Sequence, residues 1–177
     1  MKNLYFIIFY CFLTFGLCAC AAEREDEINS GSCSANDFEM ALFSGKKTYK
    51  TTEAIEIWAE LEYVGEGGNI TIWSGIPPLS FSLTDGGDFN IGTITLTVLK
   101  PTTLEKGEIY SFKGDKDSGW LPEDSTAGYW ETFLVEEDMR LPAGKYTITA
   151  EGDFALSDKY GAEKSGLLCE IEIEVIQ

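Results

Sequence analysis

The sequence contains no histidine. That excludes triads and dyads built on imidazole and the common histidine-bearing zinc sites. No glycine-rich phosphate loop follows a strand, in either the Gly-x-Gly-x-x-Gly or the Walker form, and there is no internal repeat. Basic side chains are scarce: 13 Lys and Arg stand against 30 Asp and Glu, for a net charge of −17. A field of that sign repels nucleic acid and anionic headgroups and suits a cationic partner or simple solubility. With so many acids, any two carboxylates fall near each other by chance, so no glycosidase-like pair can be singled out. The expectation is a protein that is not an enzyme, with no cofactor, no metal and no nucleic-acid partner.

One uncharged apolar run stands out. Lys2 precedes the stretch Leu4 to Leu17, which ends Leu17-Cys18-Ala19-Cys20. A positive start, an apolar stretch of this length and a small residue before the break form a secretion signal. The ending resembles the bacterial lipobox, with an aliphatic residue at −3, a small one at −1, and the cysteine that becomes the new N-terminus. The resemblance implies cleavage after residue 19, diacylglycerol on Cys20, and a chain held at the membrane outside the cytoplasm. At about 0.8 kcal/mol per buried methylene, two long acyl chains anchor stably. An uncleaved helix is the alternative, since residues 4–22 just reach the roughly 20 apolar residues that a span needs. Residues 20–35 then read as the lipidated start and a polar tether, and 36–177 as one domain of ordinary size.

Five cysteines divide by place. Cys11 and Cys18 leave with the signal, and Cys20 takes lipid. Cys33 and Cys169 remain, near the two ends of the domain, and in an exported protein they are candidates for a disulfide. Closing so long a loop would contribute about 4 to 5 kcal/mol in the chain-entropy model. Two free thiols are the alternative.

The domain reads as strands. In Ile55 to Tyr63, residues 55, 57, 59, 61 and 63 share one apolar face, and Glu56, Trp58, Glu60 and Glu62 share the other. Cys169 to Val175 repeats this, with Glu170, Glu172 and Glu174 outward. Period 2 decides for strand, because a helix would scatter these residues around its circumference. Further strands are expected at 38–43, 69–73, 79–84, 93–99, 108–112 and 145–150, with Ser74 to Pro78 as a breaker. Residues 129–139 read as a short helix or an irregular crossover, and 117–128 as an exposed loop. The fold expected is all-β, an immunoglobulin-like antiparallel β-sandwich of about seven to eight strands.

Leu104 to Phe112 and the run Leu141-Pro-Ala-Gly-Lys-Tyr146 resemble the last strands of immunoglobulin-like bacterial domains. They are similar in particular to the BsuPI-type proteinase-inhibitor family. The resemblance implies the fold, and for Tyr146 a structural hydrogen bond back to the corner it follows. Inhibition would need a protruding ordered loop, for which 117–128 is the candidate.

Two features point to binding. Acidic turns, Asp85-Gly-Gly-Asp88 and Asp115-Lys-Asp117 with Glu123 and Asp124, offer oxygen ligands of the sort calcium takes. None fits an EF-hand, and ordinary Asp/Gly turns account for them. Aromatic residues are the second feature. Trp58 falls on the glutamate face of its strand, and Trp73 ends a strand. Trp120, Tyr129 and Trp130 lie in or beside the long loop and form the candidate binding loop, with a protein or glycan as ligand. The competing role for Trp120 and Trp130 is to tuck inward and pin the loop.

Overall fold

The computed structural model describes residues 27–177 apart from 88, 93–94, 117–126 and 160. Cys20 and the expected signal therefore lie outside the described residues, as does Trp120. Among the described residues there are ten strands and one helix. They are β1 (Asn29–Ala35), β2 (Phe38–Ser44), β3 (Thr48–Lys50), β4 (Ile57–Tyr63), β5 (Asn69–Thr84), β6 (Asn90–Gly92), β7 (Leu96–Glu105), β8 (Ile109–Lys113), α1 (Ala127–Val135), β9 (Gly144–Ala155) and β10 (Leu168–Ile176). No helix among these residues is long and apolar enough to cross a membrane.

The strands form two sheets, one ordered β1-β2-β4-β8 and the other β3-β10-β9-β5-β6, with β7 also paired to β5. All pairings are antiparallel except β3 with β10. Alternation supplies the core. Leu42, Ala59 and Leu61 of the first sheet and Leu79, Ile148 and Ala150 of the second are fully buried. Phe38 meets Phe154 of the other sheet edge-on at 5.0 Å. Each buried leucine or isoleucine among them stabilises the fold by about 1.5–3 kcal/mol.

The order β2-β4-β8 over β10-β9-β5 matches the A-B-E over G-F-C plan of an immunoglobulin-like sandwich. Strands β2 and β3 behave as one strand that changes sheets to run parallel to β10. Tyr146 makes the expected corner: its hydroxyl donates to the Pro142 carbonyl at 2.9 Å.

Several details differ from the sequence expectation. Residues 29–35 are a strand rather than tether, in register with β2 from Asn29↔Ser44 to Ala35↔Phe38. Their stabilisation is tertiary. Asn29 donates from its side chain to the Glu172 carbonyl at 3.0 Å, and Asn36 to that of Ser165 at 3.2 Å. Gly31 passes so close to β10 that a Cβ there would lie 2.8 Å from the Glu170 carbonyl oxygen. Cys33 and Cys169 meet in a disulfide, Cα atoms 5.5 Å apart, stapling β1 to β10. The two-residue turn into β2 uses Asn36 at φ 53°, a left-handed conformation that asparagine tolerates.

Ser74 to Pro78 is not a break between strands. β5 runs through it as a bulge, its register against β9 jumping from Ser74↔Phe154 to Leu79↔Gly152. β7 likewise starts at 96 and runs past Pro101 to Glu105, which an edge strand bonded only to β5 permits. The segment expected as helix or crossover is α1, starting two residues earlier than read.

Candidate functional site

The outer face of the first sheet is built by register. Strand alternation turns Ser30, Ser32 and Ser34 of β1 outward, with Glu39, Ala41 and Phe43 of β2, Trp58, Glu60 and Glu62 of β4, and Ile109, Ser111 and Lys113 of β8. Cross-strand pairing sets these in three rows. Ser34, Glu39, Glu62 and Ile109 form one, Ser32, Ala41, Glu60 and Ser111 the next, and Ser30, Phe43, Trp58 and Lys113 the third.

Glu39 thus stands directly opposite Glu62, where Cβ atoms are roughly 5 Å apart, with Glu60 on the diagonal at roughly 7–8 Å. Like charges placed so destabilise a sheet. No ion pair links any of the three to a basic side chain among the described residues. The small Ser32, Ser34 and Ala41 leave a trough of about 360 Å³ between the carboxylates. At its lower margin Phe43 and Trp58 stack face to face, 5.1 Å apart with planes 10° from parallel. The half-buried position of Trp58 follows its place on the glutamate face.

The expected aromatic site is built differently. Phe89 is the hub of an aromatic group packed against the core, with Trp130 stacked on it at 5.0 Å and Tyr146 edge-on at 5.5 Å. Phe133 is buried beneath, and Tyr129 stacks on Phe133 at 5.7 Å. Lys116 reaches under α1, donating to the carbonyls of Phe133 and Asp138, its ammonium 4.9 Å from the Phe133 ring centre. At Phe133 it fills an orphan acceptor of the helix C-terminus, and burial lowers its pKa. Trp130 therefore has the pinning geometry. Tyr129 keeps 37% of its surface exposed, yet burial, then the neighbouring Tyr146 and Glu136, push its phenol up to about 12.

The acidic turn at Asp85 serves its own backbone. Asp85 Oδ1 accepts from the amides of Gly87 at 2.7 Å and Phe89 at 3.2 Å. Asp88, Asp117, Glu123 and Asp124 lie outside the described residues. No group of three metal-ligating side chains occurs among the residues described.

The sequence reading missed the trough, although Glu60, Glu62 and Trp58 had been placed on one outer face. The missing signal was register, since nothing local in the chain says that Glu39 will face Glu62.

Neither a family model nor a curated protein matches the chain. Among solved structures, a β-glucosidase from Erythrobacter marinus aligns with a TM-score of 0.35 and 14% identity, over 84% of this chain and 16% of that one.

Proposed function

We propose that this protein is an exported lipoprotein anchored through Cys20, and that its sandwich domain is a non-catalytic binding module. Its ligand on this reading is a polypeptide segment bearing lysine or arginine, seated on the outer face of β1-β2-β4-β8. The observation that carries the reading is the Glu39–Glu62 pair with Glu60 beside it, lining a trough without basic partners among the described residues. Such an arrangement costs folding stability and is relieved when a cation enters between the carboxylates. The Phe43–Trp58 stack adjoins the trough and can receive a guanidinium or ammonium on its open ring face. A glycan ligand is less well served, because the two rings cover each other instead of lying side by side. An inhibitory loop of BsuPI type would draw on 117–128, most of which lies outside the described residues.

The test is titration of a lysine-rich peptide against two charge-matched triple variants. E39Q/E60Q/E62Q should lose binding at least tenfold, whereas E170Q/E172Q/E174Q on the opposite face should retain it. Equal loss in both would reduce the effect to net charge and end the assignment. The anchor is tested separately. Cys20→Ser should abolish incorporation of a palmitate analogue, and equal label on both proteins would remove the lipoprotein reading.

A further inference from the structure

Lipid anchoring, proposed above, has a geometric corollary: we infer that the bilayer covers the end of the sandwich that carries α1, leaving the opposite end outermost. Asn29 lies nine residues after Cys20. Nine residues span no more than about 30 Å even fully extended. The start of β1 is therefore held close to the lipid, and β1 itself, seven residues long, carries its other end roughly 20 Å farther along the sandwich.

Contacts show which end this is. Asn29 pairs with Ser44, and Ser44 with Ile57. Gly114 donates to the Ile57 carbonyl at 2.9 Å, and Ile55 to that of Met139 at 2.8 Å. Two residues after Gly114, Lys116 donates to the carbonyl of Phe133 in the last turn of α1 and to that of Asp138 just beyond it. The start of β1, α1 and the Phe89 cluster thus share one end. The turn at Asn36–Asp37, the glycines 65–68 and the 156–167 connection form the other.

The chemistry of the α1 end suits a headgroup layer. Tyr129, 37% exposed, has the apolar body and polar tip that settle at membrane interfaces. Val135, at the helix end, is 83% exposed, and Ile28 and Ile176 are exposed beside the point where the tether leaves. Lys46, Lys47, Lys50 and Lys145 gather at that same corner, around β3 and the start of β9, where Lys46 pairs with Glu53 at 3.1 Å and Lys145 stands opposite Glu174. Tyr129 and Val135 then rest against the membrane, and the glutamate trough, whose Glu39–Glu62 row lies one pair from the far end of the sheet, is turned toward partners outside.

Full-length lipidated protein in phosphatidylcholine–phosphatidylglycerol vesicles tests this. Val135→Cys and Leu156→Cys each place an environment-sensitive fluorophore at an exposed position, one at either end (Leu156 is 52% exposed). Headgroup spin-labelled lipid should quench the label at 135 at least fivefold more than the label at 156. Equal quenching, or more at 156, with the protein still floating with the vesicles, overturns the orientation and leaves anchoring intact. Protein that does not float, and whose Cys20 lacks the diacylglyceryl mass, removes anchoring and orientation together.

Discussion

The two outer faces of the sandwich carry the same residue at the same spacing and have opposite characters. On the second sheet, Glu170, Glu172 and Glu174 stand opposite Thr149, Thr147 and Lys145. Glu170 even lies 3.4 Å from the Thr149 hydroxyl. Every acid there has a donor or a neutral neighbour, and the face is an ordinary solvated one. On the first sheet, Glu39 stands opposite Glu62, and an aromatic stack adjoins them. What distinguishes the faces is cross-strand partnership and not composition. A face that sets like charges together departs from the rules of stable sheets, and such departures gather where function is exercised.

The sharpest way to break the contrast is to remove the strand that walls the trough. Cys33→Ser removes the covalent staple between β1 and β10 and should cost about 2–5 kcal/mol. Calorimetry should then show a melting midpoint lower by roughly 5–15 °C, and the lysine-rich peptide should bind less tightly. A midpoint indifferent to the substitution would mean that β1 holds without its staple. Trp58→Ala comes next. Loss of the stack on Phe43 should cost about 1 kcal/mol beyond the lost area and weaken peptide binding. Trp73→Ala, on the outer side of the second sheet, should leave binding unchanged, and matching losses would argue against the trough.

Charge reversal probes the contrast more finely. Glu62→Lys turns a repulsive pair into an attractive one and should stabilise the domain by about 0.2–1 kcal/mol in urea at low salt. Glu172→Lys, facing Thr147, should change little. The difference between the two should shrink in 1 M salt, where the Debye length is about 3 Å, and a difference that survives would point to packing instead of charge.

The smallest effect lies away from both faces. Burial holds the Tyr129 phenol up at about 12, above its unfolded value of about 10. Between those values the folded state binds the extra proton. Its contribution to stability is therefore complete below about pH 10 and declines as pH rises toward 12. Tyr129→Phe should flatten that alkaline slope in thermal melts, and an unchanged slope would assign it to Tyr49 or Tyr146, whose phenols burial also raises.

Much of the fold was legible because period 2 is a local property. Ile57, Ala59, Leu61 and Tyr63, and Cys169, Ile171, Ile173 and Val175, are all buried as their alternation indicates. The corner tyrosine was legible as well, since its partner lies only four residues away. The sequence by itself therefore determined the all-β class, the inward and outward sets of the long strands, and which two cysteines stood near the ends of the domain. Tertiary structure decided the rest. β1 has no apolar period and becomes a strand only by bonding to β2 and lying against β10. β5 continues through Pro77 and Pro78 because Ile76 pairs with Leu96 of β7 and pairing with β9 resumes at Leu79. Trp130 turns inward because Phe89, far away in the chain, supplies its stacking partner. Glu39 meets Glu62 across 23 residues because the β2–β4 register brings them together. Alternation says which way a side chain points, and only the pairing of distant strands says what it points beside.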